Sequence, residues 1–77
     1  MENYIESDNE KRYKVKERCL NIIKDKGSPE KALVFLKAEL KSFEDLWGLY
    51  SSDCLGHGIT FNNLAINFIN KQILKQS

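Results

Sequence analysis

Seventy-seven residues confine this chain to one small domain, since a chain of that size buries only about 60% of the surface its unfolded form exposes. Twelve Lys and Arg against eleven Asp and Glu leave a formal net charge of +1, which gives no overall pull toward nucleic acid, anionic membranes or acidic substrates. A hydrophobic fraction of 42% is ordinary for a globular protein, so the chain reads as folded, with one core and no deep enclosed substrate cavity.

The opening MENYIESDNEK lacks the basic stretch and apolar run of a secretory signal. No apolar run approaches the roughly 20 residues that a membrane-spanning helix needs. A cytoplasmic protein without membrane association is therefore expected, with Cys19 and Cys54 as reduced thiols. Residues 1–7 read as a short flexible N-terminus.

The first helix is predicted over residues 8–26. Val15, Cys19, Ile22 and Ile23 fall at i, i+4, i+7 and i+8, which gathers them on one helical face. Asp8 is a candidate N-cap, and Gly27 suits the left-handed position just past the helix end. GSPEKA then restarts the chain: Ser28 can cap, Pro29 fits the first helical position and Glu30 complements the dipole. So short a link favours an antiparallel helical hairpin.

The second helix is predicted over 29–50. Leu33, Leu36, Leu40, Phe43 and Trp47 alternate at spacings of three and four, and Ala32, Phe35, Leu46 and Tyr50 widen the stripe. SFED at Ser42–Asp45 resembles a capping box and competes for a break there, but the phase of the stripe favours one continuous helix. Gly48, Ser51, Ser52, Gly56 and Gly58 make 51–59 a predicted loop. Thr60 is the next N-cap candidate, opening a third helix over 60–75 with Phe61, Leu64, Ala65, Phe68 and Ile69 on one face, Ile66 and Ile73 beside it, and Asn63, Asn67 and Asn70 opposite. The expected fold is all-α: a small three-helix bundle that begins with the antiparallel hairpin.

Candidate chemistry is sparse. In DCLGHG, Cys54 and His57 offer two zinc ligands where a closed site needs four, and Cys19 sits on an apolar face. Nucleophilic catalysis by Cys54 lacks an orienting group and a second histidine. GHGITFNN has no preceding strand and no phosphate-binding lysine. The favoured reading of 53–58 is a glycine-hinged connector with His57 solvated, so no catalytic residue, metal or cofactor is expected.

Two interaction readings remain. The run KRYKVKER carries Lys11, Arg12, Lys14, Lys16 and Arg18 with Tyr13 among them, a pattern that could neutralise phosphates while the ring stacks on a base. On a continuous helix, however, those charges spread around much of the circumference, with Glu10 and Glu17 between them. The stronger expectation is a non-catalytic protein–protein interaction module, a regulator, inhibitor or assembly adaptor, that binds another protein or itself. Its apolar arcs exceed what three helices hide, and Trp47, Tyr50, Ile66 and Ile73 are the candidate contacts.

Overall fold

The computed structural model describes residues 7–50 and 52–76, and these form four helices with no strand among them: α1 (Asp8–Arg12), α2 (Val15–Lys26), α3 (Pro29–Trp47) and α4 (Asp53–Gln76). The chain is all-α, as its periodicities indicate. The anticipated flexible N-terminus lies outside the described residues up to residue 6. Ser7 is ordered by a capping box: its hydroxyl accepts from the Glu10 N–H at 3.2 Å, and its own N–H donates to Glu10 Oε1 at 3.1 Å. Ser7, not Asp8, therefore caps the first helix.

The predicted helix over 8–26 is broken. Tyr13 closes α1, and Lys14 takes a left-handed backbone conformation with φ 52° and ψ 45° before α2 begins. Such a conformation costs a non-glycine residue about 1–2 kcal/mol. α1 buries no residue of its own; its capping box and the Tyr13–His57 hydrogen bond just beyond its end help to hold it in place. The apolar repeat that carries α2 starts at Val15, one residue after the break.

The turn between α2 and α3 follows the sequence signals. Gly27 is left-handed at φ 99°, its N–H donates to the Ile23 carbonyl at 2.9 Å, and the Ser28 hydroxyl accepts from the Lys31 N–H at 3.2 Å. α3 runs unbroken through Ser42, whose hydroxyl bonds the Ala38 carbonyl at 3.3 Å instead of capping a new helix. It ends at Trp47, three residues short of the predicted limit, and the Tyr50 N–H donates back to the Leu46 carbonyl at 2.7 Å.

The loop predicted over 51–59 is a helix from Asp53 onward. Ser52 opens α4: its hydroxyl accepts from the Leu55 N–H at 3.2 Å, and its carbonyl accepts from the Gly56 N–H at 3.1 Å. Thr60 is not a cap but lies inside α4, its hydroxyl donating to the Gly56 carbonyl at 2.9 Å. The glycines that suggested a loop serve close helix packing. A Cβ on Gly56 would lie 3.3 Å from Trp47 Cζ3, and one on Gly58 would lie 3.1 Å from Phe43 Cε2. Two interior glycines cost about 1 kcal/mol each in helix propensity, and the approach of two aromatic rings from α3 offsets that loss.

Those contacts also give the direction of packing. Trp47 faces Gly56, Phe43 faces Gly58 and Leu36 meets Asn62, so α4 runs back along α3. The core between α2, α3 and α4 consists of Val15, Cys19, Ala32, Leu36, Phe61, Ala65, Phe68 and Ile69. Arg18 lies over the Phe61 ring at 3.6 Å to the centroid and Lys26 over Phe35 at 4.2 Å, tying α2 to its two neighbours.

Candidate functional site

The apolar stripe of α3 divides in two. Its first half, with Ala32 and Leu36, is buried, whereas its last turn and the residues after it leave the bundle. Leu46 is 42% exposed, Trp47 41%, Leu49 76% and Tyr50 65%. Four large apolar side chains thus crowd one end of the molecule within five consecutive residues. Trp47 is not loose there, because one edge of its indole rests on Gly56. Tyr and Trp in such a position bring large, stiff contact area at low entropic cost.

Of the anticipated partner-binding residues, the structure brings Trp47 and Tyr50 together and leaves Ile66 and Ile73 elsewhere. Both isoleucines are half-buried and pack against the core from α4. Ile66 is ten residues beyond Gly56, about 15 Å along the helix at 1.5 Å per residue. Leu49, the most exposed of the end cluster, was missed from sequence, although a leucine following the glycine that closes an apolar stripe is a readable sign of an uncovered helix end.

The five basic residues of KRYKVKER separate at the Lys14 break. Arg12 leans on the Tyr13 ring at 5.9 Å, and Arg18 is held over Phe61 with a long contact of 3.5 Å to the Tyr13 carbonyl. Lys11, Lys14 and Lys16 instead border an open groove of about 400 Å³ together with Glu17 and Leu20. The break thereby converts charges that a continuous helix would scatter into three that share one concavity.

A second, smaller cavity of about 200 Å³ is lined in part by Tyr13, Arg18, Glu39 and His57. The Tyr13 hydroxyl and His57 Nδ1 are hydrogen-bonded at 2.7 Å, and their rings meet at 51° with centroids 5.8 Å apart. His57 is therefore engaged by Tyr13 across 44 residues of sequence, not merely solvated. Asn62, only 1% exposed, donates to Glu39 Oε1 at 3.1 Å and more weakly to the Leu36 carbonyl at 3.4 Å. Asn62 was missed from sequence, although its place seven residues before Ile69 puts it on the apolar face, unlike Asn63, Asn67 and Asn70.

The chain matches no protein-family model, no curated protein and no solved structure.

The two thiols are free and differ in environment. Cys19 is buried and points at the Ala65 carbonyl at 3.9 Å; burial pushes its thiol up from 9.0 to about 12, so it stays protonated and a poor nucleophile at neutral pH. Cys54 is exposed near the start of α4 and does not line the Tyr13–His57 cavity. Among the described residues, no group of three or more His, Cys, Asp or Glu is placed to hold a metal ion, and no helix is long and apolar enough to cross a membrane.

Proposed function

We propose that this chain is a non-catalytic protein-interaction module, a regulator, inhibitor or assembly adaptor, that works through the exposed end formed by Leu46, Trp47, Leu49 and Tyr50. The observation that supports it most is the exposure of these four apolar side chains within five consecutive residues, whereas Leu20, Val34 and Leu74 are exposed on separate helices. The mechanism is occlusion: the side chains lose water against a partner surface, with Trp47 pre-positioned on Gly56. Behind that end stands a three-helix bundle of α2, α3 and α4, read as opening with an antiparallel hairpin, with α1 bracing it through Tyr13. The cytoplasmic setting belongs to the same reading.

A photo-crosslinking residue in place of Leu49 is expected to give a discrete protein adduct in intact cells. The same group in place of Lys24, on the exposed face near the far end of α2, is expected to give none. No adduct from either position would reject the interface.

The nucleic-acid reading keeps one supporting observation, the convergence of Lys11, Lys14 and Lys16 on one groove. Three phosphate contacts would yield a shallow dependence on salt, with a slope near −3 in log–log form. Expected instead is no shift of a mixed oligonucleotide even at low salt. A shift that disappears in Lys14→Glu/Lys16→Glu would favour nucleic acid over protein.

A further inference from the structure

The apolar end and the lysine groove carry opposite charge: carboxylates gather at the first, and three lysines outnumber the one carboxylate, Glu17, that borders the second. The last turn of α3 holds Glu44 and Asp45 and no basic residue, so two carboxylates sit at the negative end of a helix dipole. Asp53 adds a third in the first turn of α4, across the same connection. On the other side, Lys11, Lys14 and Lys16 share their groove with a half-exposed Leu20. An ion pair joins the sequence neighbours Lys26 and Asp25 at 3.6 Å, and involves none of these groups. Charges arranged against the helix dipole on one element, and clustered cations beside a strained Lys14 on another, are local conflicts of the kind found at sites that serve a contact.

We propose that the occupant of the Leu46–Tyr50 surface is a second copy of this chain, whose Lys11–Lys14–Lys16 groove receives the acidic apolar end. This rests on the reading of that end as an interface and supplies its partner. The side chains of Leu49 and Tyr50 meet Leu20 and the lysine stems, while Glu44 and Asp45 meet the lysine ammonium groups. Tyr13, beside Lys14, bonds His57 while Trp47 rests on the adjacent Gly56, which brings the Lys14 side of the groove near the base of the apolar end. Two copies related by a two-fold axis therefore make both contacts at once, which favours a closed dimer over an open chain. A net charge of only +1 leaves little overall repulsion between the copies.

The test is a charge exchange read by sedimentation equilibrium from micromolar to millimolar protein. The unaltered chain is expected to approach twice its monomer mass. Glu44→Lys/Asp45→Lys and Lys11→Glu/Lys16→Glu, all at exposed positions, are each expected to weaken self-association at least about tenfold, with helicity unchanged. An equimolar mixture of the two is expected to recover the dimer, because each altered patch then meets its new complement. A monomer at every concentration, or a mixture no stronger than its components, overturns the proposal. The Leu49 crosslink separates this failure from that of the interface itself. An adduct of the chain with itself supports the second copy; an adduct with a different protein overturns it while leaving the interface standing; the lack of any adduct removes both.

Discussion

Replacing Phe68 with alanine is expected to lower the unfolding free energy by about 3–5 kcal/mol, the range for a large aromatic removed from a core. The side chain is 2% exposed and belongs to the cluster that joins α4 to α2 and α3. A chain of 77 residues has a total stability of roughly 4–11 kcal/mol, so this single change consumes a large share of the margin. The expected result in chemical denaturation followed by circular dichroism is a midpoint shifted far toward zero denaturant, with some variant unfolded in plain buffer. Val34→Ala, at an exposed position of α3, is expected to stay within about 0.5 kcal/mol of the unaltered protein. If both substitutions had the same small effect, the assignment of the core to the Phe68 face of α4 would be wrong.

The parts of the fold that were legible in sequence are those governed by local chemistry. Gly27, Ser28 and Pro29 each act within one turn of themselves, and the structure shows the left-handed glycine and the serine cap that those residues favour. The phase from Ala32 through Trp47 likewise outweighed the competing cap at Ser42, since breaking α3 there would have moved half of its apolar stripe out of register. What sequence misread depends on partners distant along the chain. Glycine and serine between 51 and 59 have turn propensity, and only the aromatic rings of Phe43 and Trp47, supplied by another helix, make glycine the fitting residue inside α4. The break at Lys14 is similar. Nothing between Asp8 and Lys14 punctuates a helix, and the bond that accompanies the break is made by Tyr13 to His57.

The candidate site divides along the same line. Trp47 and Tyr50 were identifiable because a stripe of that width exceeds what two neighbouring helices cover. Ile66 and Ile73 carried the same periodic signal but sit against the core, because α4 begins seven residues earlier than its apparent cap at Thr60 and lies against α3 along more of its length. The grouping of Lys11, Lys14 and Lys16 follows from the left-handed Lys14 and was invisible to any reading that assumed a regular helix.

Gly58→Val is the substitution that tests the misread segment most directly, and it is expected to cost about 2–3 kcal/mol. The position has ordinary helical geometry, so backbone strain plays no part. A Cβ there would stand 3.1–3.3 Å from three atoms of the Phe43 ring, and the branched methyls of valine would press further into it. Alanine at the same position gains about 1 kcal/mol of helix propensity while asking a half-buried ring to yield by a few tenths of an ångström, so Gly58→Ala is expected near neutrality. Phe43→Ala removes the obstruction. Combined with Gly58→Val it is expected to lose at least about 1 kcal/mol less than the sum of the two single changes, the coupling of side chains in direct contact. A connector loop gives the opposite pattern, with valine tolerated and the two sites additive. Because Phe43 lies one turn before Trp47 on α3, a Phe43 ring forced outward is expected to disturb the seat of the indole on Gly56. Gly58→Val is therefore expected to reduce crosslinking from Leu49 even in the fraction of molecules that remain folded, linking helix packing within one chain to the shape of the surface it presents.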